Sequence, residues 1–477
     1  MDDIKQSPLT RRAFLQAAGG AAACWALLPL SGGILAADPL SRTPILPKSK
    51  ARVGLVFVHV STPRPTWPTK DYDYAGREKQ ILGKLLPSCP GIDFNIKRVS
   101  NANEAQAVLQ ESGEVDGYLV YVIGLSAPGA EDFVRSGKPV VLVDDLYGGT
   151  GQVLSLSGIA AREKLKVVTV SSSDMNDVIA AARLFGVIRA MKETTILDVT
   201  DRDITAPAKS VADLFGANVV RLTPDELADY FSKADEHEAV EWADYWIKGA
   251  KKMVEPDRAE IIKSGKMYLG LCRAAADRRA DAVTMNCLGL FYAKKSPAYP
   301  CLSFFQMNND GGTGICEGDI NSTCTQLMMR FLTGRPGYVS DPVIDTSKNE
   351  VIYAHCVCTN RVFGPKGKAN PYIIRSHAED EQGAAVQSLL PVDEPVTTLE
   401  ISIDQKRMVI HSAKAVGNSD EPKACRTKLV AKTNAKRLLK NWDLGWHRVT
   451  VYGDWREQAI NLGQLYGFDV LEEDLPA

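Results

Sequence analysis

Arg52-Val53-Gly54-Leu55-Val56-Phe57-Val58-His59-Val60 is apolar at almost every position, with no alternation of polar and apolar residues. Successive side chains of a strand point to opposite faces, so an unbroken apolar run marks a strand covered on both sides. That is the condition of a parallel sheet sandwiched between helices. Two further runs of this kind, 117–124 and 139–144, follow a polar, proline-containing loop at 61–74. They alternate with helical patterns at 76–86 and 103–112 and a short one at 131–136. Strand–helix alternation predicts an α/β layer.

The pattern then restarts. Strands are expected at 165–170, 195–199 and 218–222, a helix at 175–191, and long helical stretches at 227–254 and 257–279, with an apolar run at 301–307. After Gly337 the chain changes to strand-sized pieces separated by Gly, Pro and Asp, at 350–358, 397–403, 407–410 and 447–452. The expectation is two Rossmann-like α/β domains, 51–157 and 158–335, followed by a mostly antiparallel β C-terminal domain, 336–477.

Residues 1–37 read as an address. Thr10-Arg11-Arg12-Ala13-Phe14-Leu15-Gln16 carries paired arginines, a moderately apolar stretch follows, and Ala36-Ala37 offers a signal-peptidase site. This predicts a twin-arginine signal peptide, the twin-arginine translocase as export partner and a periplasmic location, with 38–50 as a linker. Cys24 follows Ala21-Ala22-Ala23 and is a poor lipoprotein acceptor. Cargo of this route folds in the reducing cytoplasm, so the fold should not depend on disulfides, and a metal can be acquired there before export.

Bulk composition narrows the function by exclusion. The 477 residues are 45% hydrophobic with a formal net charge of −2, which gives no electrostatic reason to expect nucleic acid as a partner. The ten cysteines contain no CxxC, against zinc ribbons, thioredoxin-type pairs and c-type haem. Cys356 and Cys358 form a CxC in an apolar run, placing both on one face of a strand as buried, inert thiols, with a disulfide or ligand role as the alternative. Gly148-Gly149-Thr150-Gly151 lacks dinucleotide-binding spacing and reads as a loop.

Chemistry concentrates in Asn308-Asn309-Asp310-Gly311-Gly312-Thr313-Gly314-Ile315-Cys316-Glu317-Gly318-Asp319. A helix follows, capped by Asn321 or Ser322 and stopped at Gly334-Arg335-Pro336, and the next acid is Asp341. Such a helix carries the chain roughly 18 Å away, and an extended return of about six residues covers roughly 20 Å. Glu317 and Asp341 can therefore meet at one end of the helix, where two carboxylates would suit a hard divalent cation; turn and cap acids are the alternative. Of six histidines, His355 and His447 lie in strand-like segments after Asp341, where a core histidine is the default. His237 lies in an acidic helical stretch and reads as solvated, while His59, His377 and His411 are undecided.

The order Cys316-Glu317-Gly318-Asp319, Gly334-Arg335-Pro336 to Asp341-Pro342, Ala354-His355-Cys356 and Trp446-His447 to Tyr452-Gly453-Asp454 resembles the C-terminal half of the L-fucose/L-arabinose isomerase family. The resemblance implies that Glu317, Asp341 and His447 bind a divalent metal, manganese by the L-fucose isomerase pattern, with the two carboxylates also serving as acid and base. His355 corresponds best to an additional histidine ligand of L-arabinose isomerases, or is a polar group contacting the sugar. The implied reaction is aldose–ketose isomerisation of a pentose, hexose or deoxyhexose through a metal-stabilised cis-enediol, in a homo-oligomer. Epimerisation or lyase chemistry on the same enediolate, or non-catalytic sugar binding, are the alternatives. Phe304, Phe305, Tyr338 and Trp446 could wall the sugar, with core packing the default for most.

Overall fold

The computed structural model describes residues 47–60, 66–111, 113–124 and 129–476. The twin-arginine segment 1–37 and most of the linker lie outside the described residues.

Strands β1 (Ala51–Val58), β2 (Ile92–Val99), β3 (Gly117–Val122), β4 (Val140–Asp144) and β5 (Val167–Ser171) form a parallel sheet in the order β2-β1-β3-β4-β5. Its apolar runs are divided between two cores. Val53, Leu55, Phe57, Leu119 and Tyr121 pack beneath the helices Tyr74–Ser88 and Met175–Lys192. Val56, Val58, Tyr118 and Val120 pack beneath Ala102–Glu111, Ala130–Val134 and Thr150–Arg162. The unbroken apolar reading of this segment thus reflects coverage of both faces.

A second parallel sheet runs β7 (Asn218–Leu222), β6 (Thr195–Val199), β8 (Ala282–Met285), β9 (Gly314–Cys316). The helical stretch expected over 227–254 is two helices, Pro224–Ser232 and Glu236–Gly249. Thr223 and Glu226 form a capping box on the first, and Asp235 caps the second by accepting from the Glu238 N–H, so two start signals break what reads as one period. The apolar run near 301–307 belongs to a fully buried helix, Cys301–Asn309.

The C-terminal region is a closed barrel. Strands β10 (Tyr338–Asp345), β11 (Glu350–His355), β14 (Pro395–Ser402), β15 (Arg407–Asn418), β16 (Thr427–Lys432) and β17 (Arg448–Tyr452) pair antiparallel in the order β14-β17-β10-β11-β16-β15, and β15 returns to β14. A register shift between Ala415 and Gly417 bends β15 from one neighbour to the other. β18 (Asp469–Glu472) adds parallel to β15, while β12 (Tyr372–Arg375) and β13 (Ala385–Ser388) form a separate hairpin. β11 ends at His355, so Cys356 and Cys358 lie beyond the strand expected to carry them; both are buried free thiols.

The helix Ile320–Thr333 joins the second sheet to the barrel. Cys324, Leu327, Met328 and Phe331 share one core with Leu399, Ile401, Val449 and Val451 of the barrel wall. Its N-terminus meets the barrel through Asp319, bonded to His447, and Ser322, bonded to Glu400.

Candidate metal centre

β9 ends at Cys316, and the next two residues, Glu317 (φ 69°) and Gly318 (φ 66°), are both left-handed. Glycine adopts this conformation freely, whereas a glutamate there is strained. The turn leads into Asp319, the N-cap of Ile320–Thr333, whose carboxylate accepts from Ser322 N–H (3.0 Å) and Ser322 Oγ (2.8 Å). Asp341 sits in β10 opposite Ala354 of β11, which brings His355 beside it, and His447 immediately precedes β17, which pairs with β10.

These elements converge. His447 Nε2 is 3.3 Å from Glu317 Oε2 and 3.3 Å from Asp341 Oδ1, and its Nδ1 is 2.7 Å from Asp319 Oδ2. His355 Nε2 is 3.7 Å from Glu317 Oε1. Glu317, His355 and His447 each offer one ligand atom, all within 4.8 Å of one another. Among the sequence-derived candidates, Glu317, Asp341, His355 and His447 therefore share one location. His59 pairs instead with Glu78 (3.4 Å), His411 with Glu473 (2.9 Å), and His237 is exposed beside Glu241.

Charge in this cluster is lopsided. Burial alone would keep His447 neutral, but the carboxylates of Asp319, Asp341 and Glu317 push its pKa up to about 12. Bonding to His447 holds Glu317 below the ordinary glutamate value, and the same imidazole lowers Asp319 and Asp341 against the opposing effect of their burial. Burial lowers the pKa of His355, so this imidazole is neutral. His355 Nε2 is buried without a hydrogen-bond partner, and buried Asp341 Oδ1 has only the long 3.3 Å approach of His447 Nε2. Under-satisfied buried polar atoms facing a carboxylate–imidazole set fit a bound divalent cation and an oxygen-rich ligand.

Two residues at the site carried no role in the sequence reading. Asp319 stood in the quoted motif two residues after Glu317, but only the fold shows that it reaches His447. Cys425 Sγ lies 3.9 Å from Asp341 Oδ2 and 3.9 Å from Cys356 Sγ, a contact that no spacing announces. On the far side of Asp319, a cavity of about 270 Å³ opens at the carboxyl ends of β6 and β8, lined by Asp198, Arg202, Asn286 and Asn321 among others. Burial raises Asp198 to about 6. Phe304, Phe305 and Tyr338 are core residues, the default reading, and Trp446 is 59% exposed with its Nε1–H donated to the Pro342 carbonyl.

No family model matches the chain. Over 274 residues it is 25% identical to the sulfoquinovose isomerases of Priestia aryabhattai and Priestia megaterium, a match covering 55% of this chain and 60% of each relative. The chain thus spans about 60% of the length of the curated relatives it matches. The likeness is to sugar isomerases, and the two parallel sheets followed by an antiparallel barrel agree with the architecture that the sequence motifs imply.

Proposed function

We propose that the protein is a metal-dependent sugar isomerase that interconverts an aldose and a ketose of the pentose, hexose or deoxyhexose class. The observation that carries this reading is the meeting of Glu317 and Asp341, each 3.3 Å from the same nitrogen of His447. The likeness to sulfoquinovose isomerases supports the sugar-isomerase class. Glu317, Asp341 and His447 would hold a divalent ion, manganese by the resemblance of the motifs. When bound, such an ion supplies Lewis-acid stabilisation of negative charge developing on sugar oxygens.

Isomerisation moves a proton between neighbouring carbons, so a base must be ionised at neutral pH and close to the ligand. Glu317 and Asp341 are both held ionised by His447. Glu317 is about one-third exposed, the more accessible of the two, and is the better placed to reach a carbon-bound proton; Asp341 is largely buried. The twin-arginine motif supports export of the folded protein to the periplasm, which amino-terminal sequencing of the mature form tests. A homo-oligomer is the assembly that the family resemblance implies, and light scattering of the purified protein tests it.

The deciding experiment is metal analysis of the purified protein, with a sugar panel that includes sulfoquinovose incubated in deuterated water, for native protein and Glu317→Gln. Ketose formation with deuterium at C1, lost in Glu317→Gln, is the expected result. Deuterium exchange without ketose would replace isomerisation by epimerase or lyase chemistry. No bound metal and no exchange on any sugar would leave a sugar-binding protein.

A further inference from the structure

The two histidines of the centre are wired differently through their Nδ1 atoms. His447 Nδ1 lies 2.7 Å from Asp319 Oδ2, a carboxylate that already accepts from the Ser322 N–H and Oγ–H, so this nitrogen carries a proton and donates. His447 Nε2, 3.3 Å from both Glu317 and Asp341, then offers a lone pair to a cation once its own proton leaves. His355 shows the opposite arrangement. The backbone N–H of Cys356 donates to His355 Nδ1 at 3.0 Å, so Nδ1 bears no proton and the ring carries its proton at Nε2. That Nε2 is buried in a residue 1% exposed, has no partner, and faces Glu317 Oε1 at 3.7 Å, too far for a hydrogen bond. To ligate a metal a ring nitrogen must lose its proton: His447 can do so at Nε2 and stay a neutral imidazole through Nδ1–H, whereas His355, its Nδ1 taken by the Cys356 N–H, has no second proton to keep.

We propose that His355 and His447 are fixed in opposite tautomers, so that His447 ligates the ion through Nε2 with Asp319 as its positioning residue, while His355 is no ligand and donates its Nε2–H to a sugar oxygen. The last clause rests on the sugar-isomerase reading; the tautomer assignment does not. Asp319 is itself immobilised by its cap bonds to Ser322, so it sets the plane of the His447 ring as well as its tautomer. Of the two histidines within ligand distance of Glu317, only His447 can open a lone pair at Nε2 to a cation and remain a neutral ring.

Nitrogen-15 NMR of protein labelled at histidine tests this without turnover, before and after loading with magnesium or zinc, which are diamagnetic. His355 should show a protonated Nε2 and an unprotonated Nδ1 in both states. His447 should keep its Nδ1 proton and change at Nε2 on loading. A His355 Nε2 that loses its proton when metal binds would overturn the assignment. Asp319→Asn retains the helix cap and offers an N–H to Nδ1, forcing the wrong tautomer; metal should bind about 10- to 100-fold more weakly with thermal stability little changed. Unchanged affinity in Asp319→Asn would also overturn it. His355→Leu should leave manganese affinity intact and lower kcat/KM about tenfold, the worth of one hydrogen bond. Loss of metal in His355→Leu would make His355 a ligand after all. Correct tautomers with no ketose formed would remove the isomerase reading and leave the tautomers standing.

Discussion

Nε2 of His447 and Oε2 of Glu317 lie 3.3 Å apart, and the imidazole carries a pKa of about 12 because burial is outweighed by the carboxylates of Asp319, Asp341 and Glu317. The metal-free centre is therefore protonated at neutral pH, and a cation that binds at Nε2 must displace that proton. Between about pH 6 and 8 the carboxylates are ionised throughout, so one proton leaves per metal bound. Affinity should rise about tenfold per pH unit. Calorimetry in buffers of differing ionisation enthalpy measures the proton release directly; an affinity flat across this range would show that His447 is not the ligand.

Glu317 is held in the left-handed region at φ 69°, and the following glycine shares that conformation. Strain of this kind persists where function requires the side chain. Glu317→Ala and Glu317→Gly both remove the carboxylate, so the difference between them reports the backbone alone. The glycine variant should be more stable by about 1 kcal/mol. Chemical denaturation of the pair checks this, and equal stabilities would mean that the turn relaxes without cost.

Glu400 of β14 is fully buried behind the same helix N-terminus, its two carboxyl oxygens 3.0 Å from Ser322 Oγ and Thr325 Oγ1. Burial, followed by the charge of Asp319, raises its pKa to about 8 from the ordinary 4.5. Because the folded protein holds this proton more tightly than the unfolded chain, the associated stability is complete below about pH 4.5 and is lost as pH rises through 8. Glu400→Gln imitates the protonated form. Its stability relative to the native protein should grow between pH 5 and 9, by at most about 1.4 kcal/mol per pH unit. A difference independent of pH would show that Glu400 is ionised in the fold.

Which parts of this molecule were legible in the sequence follows from the range of the interactions involved. The parallel strands β1, β3 and β4 announce themselves because every residue of the runs except Arg52 is buried on one face or the other. Glu317 and Asp341 could be brought together on paper because a single helix and its return separate them. The closure of the barrel could not, since the pairing of β14 with both β15 and β17 depends on register between distant segments. Asp319 was visible as an acid near a helix start, a position that also suits an ordinary cap. Its second bond, to His447, belongs to the three-dimensional structure alone. The aromatic residues near the motifs failed as site candidates for a related reason: closeness in sequence says nothing of the face, and Phe304 and Phe305 lie on a helix buried on every side.

Behind His447, the barrel holds a buried ionic cluster that steadies the site. Arg448 Nη2 is 2.5 Å from Glu473 Oε1, both side chains are fully buried, and His411 Nδ1 meets the other Glu473 oxygen at 2.9 Å. Arg448 also donates to the backbone carbonyl of His447 at 2.8 Å and lies over the Trp442 ring, its guanidinium 3.8 Å from the ring centroid. Although burial would raise Glu473, the bond from His411 and the charge of Arg448 hold it below its ordinary value of 4.5. Its contribution is thus present above about pH 4.5 and lost as pH falls through the depressed value. Glu473→Gln would strand the Arg448 charge in the interior, at about 3–5 kcal/mol. Since Arg448 anchors the His447 backbone, manganese affinity should fall in the same variant. Thermal unfolding and metal titration of Glu473→Gln together check the coupling: a large stability loss with unchanged metal affinity would confine this cluster to holding the barrel shut.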